Sequence, residues 1–351
     1  IKELMDYGIT RIYSPDDGRA LGLQGMINDL VKTSDFPVGD KLNGELALLS
    51  DKNPGAIARI ISAAENFPEV ASETLEKIYK NNKALKTPVL GITGTGGAGK
   101  SSSTDEIIRR FRQDSNDSVR IAVLAIDPTR KKTGGALLGD RIRMNAINHP
   151  NIFMRSLATR DANTEVPENL DAILAAIKAA DFDLIIVETP GIGQGDAGIV
   201  PFVDVSLYVM TPEFGAASQL EKIDMLDYAD VFAINKFDRK GSEDALRDVS
   251  KQVQRNREAF SQMPDEMPVF GTIASKFNDD GITALYQALL EELEKKGLKE
   301  FEHHLAKVDV KISTQRSLII PAQSQRYLAE IATEVRDYHG IVAIQSKLAR
   351  E

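Results

Sequence analysis

Gly94-Thr95-Gly96-Gly97-Ala98-Gly99-Lys100-Ser101 decides how the rest of this chain is read. It follows the apolar run Val89-Leu90-Gly91-Ile92 and opens a helix-forming stretch from Ser102 to Phe111. Glycines let a loop backbone wrap closely around a polyphosphate, because no Cβ stands in the way. Several N–H groups then converge at the positive end of a helix dipole. The pattern G-x-x-x-x-G-K-[ST] between a strand and a helix is such a phosphate cradle. The expected nucleotide contacts are therefore Gly94, Gly96, Gly97, Ala98, Gly99, Lys100, Ser101 and Ser102. Lys100 is placed to reach the β- and γ-phosphates, and the Ser101 hydroxyl to ligate Mg²⁺.

Outward from this loop, apolar strands alternate with amphipathic helices, the sequence form of a parallel sheet with helices on both faces. The expected strands are Val89–Thr93, Arg120–Ile126, Phe182–Glu188, Val203–Met210, Val231–Asn235 and Val269–Ile273. The fold class is α/β, a P-loop NTPase with a mostly parallel sheet flanked by helices and with helical linkers at both ends. Ligands of such sheets bind at the carboxyl ends of the strands. Asp127 closes the second expected strand and precedes a basic, Gly-rich loop that continues to Gly139-Asp140-Arg141. A carboxylate there suits Mg²⁺ or its waters, with capping of the next turn as the plainer role for Asp127. For Asp140 taken alone the plain reading is the better one. Glu188 closes the third strand, three residues before Gly191, in a Walker-B-like arrangement. It is one methylene longer than the usual Asp, so a water-mediated metal contact is an alternative to direct ligation.

Asn235-Lys236-Phe237-Asp238 follows a later apolar strand, 135 residues after Lys100. The Asp238 carboxylate can accept from both the ring N–H and the exocyclic amine of guanine, a donor pair that adenine lacks. Asn235 would hold the loop, and the Lys236 stem would cover the base face. Ser275 and Lys276, after the last strand, suit a loop closing over the base. The candidate catalytic set is Lys100, Glu188 and Asp127, and the candidate metal set is Ser101, Asp127, Asp140 and Glu188.

The chain has 351 residues, 42% of them hydrophobic, enough for a large domain with appendages. It contains no cysteine, which excludes disulfides and thiolate metal sites, and its four histidines are scattered. A net charge of -9 argues against nucleic acid as the main partner. No apolar run approaches the roughly 18 residues of a membrane span, and no signal peptide opens the chain. A cytoplasmic protein is expected. Ile1 is not an initiator methionine, so the chain reads as a piece of something longer.

Taken together, G-T-G-G-A-G-K-S, A-I-D-P-T, L-L-G-D-R-I-R-M, E-T-P-G-I-G-Q and N-K-F-D resemble the methylmalonyl-CoA-mutase-associated GTPases, G-protein chaperones of B12-dependent acyl-CoA mutases. The resemblance covers about residues 89–295. It implies GTP/GDP and Mg²⁺ as ligands, with Mg²⁺ held through Ser101 and Asp127, Asp140 and Glu188 around it. It also implies that Pro212 to Gln219 is an additional switch segment. At the ends, Arg11 to Gly18 and Gly22 to Met26 resemble the tail of a cobalamin-binding domain, and Gln323 to Gly340 is similar to the lead-in to a mutase barrel. That order is the one found in the fused isobutyryl-CoA mutases, and it implies adenosylcobalamin bound outside this chain. It also implies cobalamin-binding and mutase domains as partners, in the same or another polypeptide, and a homo-oligomer. The D-x-H-x-x-G motif that ligates cobalt is missing, and Asp337-Tyr338-His339-Gly340 has the wrong spacing. The expected divisions are 1–38 as the cobalamin-domain tail, 39–88 as a helical linker, 89–297 as the GTPase domain and 298–351 as a helical linker to the mutase.

Near the N-terminus, Ile9–Tyr13 reads as a short strand and Ser14–Gly18 as a turn. His303-His304 reads as a surface pair. Among related readings, partition-type ATPases carry a second lysine where this chain has Thr95, and nickel-delivery GTPases need Cys/His ligands that this composition does not supply. A stand-alone chaperone GTPase remains open. So does a nucleotide-locked interaction module, since no glutamine directly follows Gly191.

Overall fold

The computed structural model describes residues 2–49, 53–81, 87–128, 142–159, 166–191, 197–215, 220, 223–314 and 327–350. Its contacts divide the chain into two compact units, 1–83 with 172–180, and 84–171 with 181–351.

The larger unit is built on a seven-stranded sheet: β1 (Val89–Gly94), β2 (Ile121–Asp127), β3 (Ile152–Ala158), β4 (Leu184–Glu188), β5 (Val205–Met210), β6 (Val231–Asn235) and β7 (Val269–Thr272). The order is β3-β2-β4-β1-β5-β6-β7, and every pairing is parallel. All strands except β3 are buried along their whole length. That is why they read as continuous apolar runs rather than alternating ones. Strand β3 is an addition to the six expected from sequence. It lies at the sheet edge and mixes Arg155 and Ser156 into its apolar positions, so its burial is interrupted.

The phosphate loop leaves β1 and enters α6 (Lys100–Asp114). Ile107, Ile108 and Phe111 of α6 lie fully buried in the core, joined by α10 (Asp280–Lys295) through Leu285, Tyr286 and Leu289. Each such side chain contributes about 1.5–3 kcal/mol by leaving water. Phe111 and Tyr286 meet edge to face, with centroids 4.9 Å apart.

Residues 298–314 correct an expectation. They are not helical; they cross the sheet domain as an irregular strap, with Phe301, Leu305, Val308 and Val310 packed on its core. Two backbone hydrogen bonds tie Gly271 to the strap, from Gly271 N–H to Lys311 O and from Ser313 N–H to Gly271 O, both 2.9 Å. The expected C-terminal helix begins at Tyr327 and runs to Leu348 as α11. His303 and His304 are both exposed, as expected of a surface pair, and His303 Nδ1 also lies 2.9 Å from the buried Asp114 carboxylate at the end of α6. Asp114 also accepts from Tyr286 Oη at 2.7 Å and from the N–H groups of His304 and Leu305 at 2.9 and 2.7 Å.

The smaller unit contains α1 (Lys2–Asp6), α2 (Pro15–Ser34), α3 (Glu45–Leu49), α4 (Pro54–Asn66) and α5 (Pro68–Asn81), and most of α7 (Leu170–Ala179). Helices α4 and α5 are each opened by a proline in the first turn, where the missing N–H costs nothing. Ala63, Ala64 and Ala71 form a tight contact that Leu42, Leu75 and Ala172 surround. Residues 9–13 form no strand, contrary to expectation. The stretch read as a turn at Ser14–Gly18 is instead the start of α2. Ser14 and Asp17 make a reciprocal capping box there. No helix among the described residues is long and apolar enough to cross a membrane.

Candidate nucleotide site

Six strand ends define the site: Gly94, Asp127, Glu188, Met210, Asn235 and Thr272 all lie at carboxyl ends of the parallel sheet. Strand β1 has β4 on one side and β5 on the other, so the chain departs in both directions there and leaves a crevice.

The loop is shaped by backbone requirements. Gly94 has φ +148°, and a Cβ on it would lie 1.9 Å from the Val209 carbonyl oxygen. Gly99 has φ +92°, and a Cβ there would lie 2.4 Å from Asn235 Nδ2. Gly99 is also the N-cap of α6 and offers no side-chain acceptor to the first turn. No side chain at the cap competes with a ligand for the first turn of α6. Gly96 and Gly97 are exposed, Ala98 and Lys100 are buried, and Ser102 is exposed. Lys100 Nζ donates to Gly94 O at 3.2 Å and Thr95 O at 3.4 Å, holding the ammonium beneath the loop.

Two hydroxyls grip the carboxylate of Glu188. Ser101 Oγ donates to Oε1 at 2.6 Å, and Thr104 Oγ1 lies 2.9 Å from Oε2. Thr104 was not among the residues expected from sequence. It sits one turn along α6 from Lys100, whose carbonyl it also contacts at 3.0 Å. Register places Glu188 opposite Ala125 on β2, two residues before Asp127, so the two carboxylates close neighbouring strands. Asp127 is buried. Gly191 lies against the loop, since a Cβ on it would come within 2.9 Å of Gly96 Cα. Asp140 lies outside the described residues, as do 129–141, 192–196 and 216–219, the last of these within the expected switch segment Pro212 to Gln219.

The base side is tied to the phosphate side. Buried Asn235 donates through Nδ2 to Ala98 O at 2.8 Å and accepts through Oδ1 from Ala274 N–H at 3.0 Å. Lys236 adopts the left-handed conformation, φ +60°, and its Nζ donates to Gly97 O at 2.7 Å. Phe237 N–H donates to Thr272 O at 3.0 Å. Asp238 and Ser275 are exposed and Lys276 half-buried, all on these two joined loops. Glu213, at the start of the 212–219 segment, pairs with Arg239 just beyond Asp238 at 2.6 Å. Hydrogen bonds from Thr211, its own N–H and Arg239 pull the Glu213 carboxyl down to about 2.

Among the described residues no three His, Cys, Asp or Glu side chains cluster as a metal cage. The oxygen-only set of Ser101, Glu188 and Asp127 nonetheless fits Mg²⁺. That ion typically takes one or two carboxylates and completes its shell with phosphates and water.

A family model described as methylmalonyl-CoA mutase-associated GTPase MeaB matches residues 56–327. The chain is 58% identical to the fused isobutyryl-CoA mutase of Cupriavidus metallidurans, over all of this chain and 32% of that protein. It is 56% identical to the fused isobutyryl-CoA mutase of Nocardia farcinica, over 97% of this chain and 31% of that protein. The chain thus spans about a third of the length of these curated relatives. A putative GTPase of Pyrococcus abyssi is 35% identical over 68% of this chain and 72% of its own length. Among solved structures, a LAO/AO transport system kinase has the same fold, with TM-score 0.51 and 20% identity over 72% of this chain and 74% of that one.

Proposed function

The chain belongs to the methylmalonyl-CoA-mutase-associated GTPases, and on that premise we propose that it is the chaperone portion of an adenosylcobalamin-dependent acyl-CoA mutase acting on isobutyryl-CoA. Its own reaction is GTP + H₂O to GDP + phosphate. The whole protein's mutase activity, its cytoplasmic location, its assembly as an oligomer and the cobalamin bound outside residues 1–351 are parts of the same proposal. The observation that carries it is the grip of Ser101 and Thr104 on Glu188 beneath a loop that Asn235 joins to the base side.

Catalysis here is positioning and charge neutralisation rather than covalent chemistry. Lys100 supplies a buried cation at the loop, and the N–H groups that open α6 supply partial positive charge for the phosphate oxygens. Ser101, Glu188 and Asp127 are the residues that would hold Mg²⁺. The chemistry such an ion would supply is neutralisation of the charge on the phosphate oxygens. Thr104 fixes the second oxygen of Glu188, so the carboxylate faces the loop in one orientation. Asp238 reads guanine, and Lys236 with Ser275 and Lys276 closes around the base. Gly191 lies close against Gly96, and its N–H is the group we assign to sensing the γ-phosphate. The nucleotide state then gates loading or protection of the mutase cofactor.

Glu188→Ala and Asp127→Ala test the site. Each should lower GTP turnover by more than about tenfold, the scale of a lost electrostatic contact, while the melting temperature stays within a few degrees. If Asp127 only caps a turn, its loss appears as about 0.5–2 kcal/mol of stability with turnover intact. Tight GTP binding without turnover in the unaltered protein would leave a nucleotide-locked module instead.

A further inference from the structure

Behind the base loop lies a carboxylate that no part of the proposed reaction uses. Asp279 is 4% exposed and caps α10 by accepting from Ile282 N–H at 3.0 Å. A cap requires no more than that one bond. The same oxygen, Oδ2, also accepts from Ile273 N–H at 3.1 Å, and Oδ1 accepts from Ser313 Oγ at 2.5 Å. Ile273 and Ala274 open the loop that carries Ser275 and Lys276. Their consecutive N–H groups are therefore pinned by two buried acceptors, Asp279 for the first and Asn235 for the second.

The third partner comes from the strap. Ser313 N–H donates to Gly271 O, and Thr314 N–H donates to Asp280 Oδ1 at 2.9 Å. Gly281 has no side chain to obstruct this approach; a Cβ there would lie 2.8 Å from Ser313 N. The Phe237 ring of the N-K-F-D turn stands over Gly271, where a Cβ would come within 2.6 Å of it. Phe237, Ile273, Ile312 and Ser313 line one cavity of about 360 Å³. From the phosphate side, Arg110 of α6 donates to the Asp279 carbonyl at 3.2 Å and to Thr283 Oγ1 at 3.1 Å. Burial pushes the Asp279 carboxyl up, while Ser313, Ile273 and Ile282 oppose the shift by bonding to its ionised form.

We propose that Asp279 is the positioning residue of base recognition, and that the strap, through Ser313, sets its position. This rests on the reading of Asn235–Asp238 as a guanine site. Residues 311–314 of the strap thereby hold the back of the loop that closes on the base. A pull on the strap acts on base preference through the loop that begins at Ile273, since its bonds through Ser313 and the Thr314 N–H are to Gly271, Asp279 and Asp280 rather than to the phosphate loop.

Asp279→Ser separates this role from capping, because serine is a good N-cap but too short to reach Ile273 as well. Affinities for GDP, ADP and tripolyphosphate are measured by calorimetry on the whole chain, beside a melting curve. For Asp279→Ser the GDP-to-ADP preference should fall by about 5–20-fold, the worth of one to two hydrogen bonds. Tripolyphosphate binding, which uses the phosphate loop alone, should remain within about twofold, a change smaller than one ordinary hydrogen bond. Asp279→Asn keeps an acceptor for Ile273 and Ile282 and should restore the preference. Ser313→Ala should lower it by about threefold, as expected for one partly compensated bond. A folded Asp279→Ser with an unchanged preference overturns the proposal. If that variant does not fold, an unchanged preference in Ser313→Ala overturns it. No GDP preference in the unaltered chain would instead mean that the guanine reading has failed.

Discussion

Asn235 and Asp238 belong to one tetrapeptide yet do opposite work. Asn235 is buried and spends its amide on the protein, while Asp238 is exposed, as the proposed reading of guanine requires. Asp238→Asn replaces one acceptor oxygen with a donor. It should cost GTP about 2–4 kcal/mol and favour xanthosine triphosphate, since two paired bonds to a charged acceptor are at stake. Competition binding of the two nucleotides checks this. Thr104→Val keeps the volume and removes the hydroxyl from Glu188. A carboxylate bond of this type is worth about 1.5–3 kcal/mol, so turnover should drop about tenfold with GTP affinity little changed, read from kcat and KM. Residues of this second kind were illegible in the sequence. The phosphate loop, Glu188 and N-K-F-D announce themselves by local spacing. Thr104 and Asp279 act on partners whose proximity only the folded sheet and its loops create.

At the scale of elements, local pattern and tertiary demand part company in three places. Strands buried on both faces read clearly as apolar runs, but edge strand β3, with Arg155 and Ser156 inside it, does not. Ser14-Pro15-Asp16-Asp17 carries turn residues and helix-start residues alike, and the capping box resolves the ambiguity toward α2. The strap has no periodicity because its stability comes from distant partners, Asp114 above all. Burial pushes the Asp114 carboxyl up, but the Leu305 N–H, His303 and Tyr286 outweigh it and hold the group below its usual range. A carboxyl lowered by folding adds stability above its unfolded pKa of about 3.9, and that stability is lost as pH falls through the lower folded value. Asp114→Asn should therefore melt below the unaltered chain at pH 7, and the gap should close progressively on acidification below the unfolded pKa of about 3.9. Calorimetry across that range tests it. A gap independent of pH would mean that ionised Asp114 does not hold the strap.

For the molecule as a whole, we propose that nucleotide state is reported by three segments following strand ends, 129–145, 190–199 and 212–219. Contacts at or beside their described parts hold them to the domain: Ala146 N–H, just past the first segment, donates to Asp105 at 2.7 Å, Gly191 lies beside Gly96, and Glu213 pairs with Arg239. Exchange of GTP for GDP should change hydrogen-exchange protection in these three segments and leave β1–β7 unaltered. By linkage, an attached mutase or cobalamin domain must shift nucleotide affinity by the same factor that the nucleotide shifts the attachment. Equal protection in both nucleotide states would remove the switch.

The bonds from Asn235 to Ala98 and from Lys236 to Gly97 have one further effect. They use protein atoms only, so they join the two halves of the crevice into a single piece by themselves. A nucleotide that spans such a piece binds as a chelate. Once either end is seated, the other is held at an effective concentration on the order of millimolar or above. Guanosine and pyrophosphate offered separately should therefore fail to substitute for GDP, even when each alone occupies its own half. Cutting the Lys236 tie should erode that advantage of the joined ligand more than it weakens either fragment.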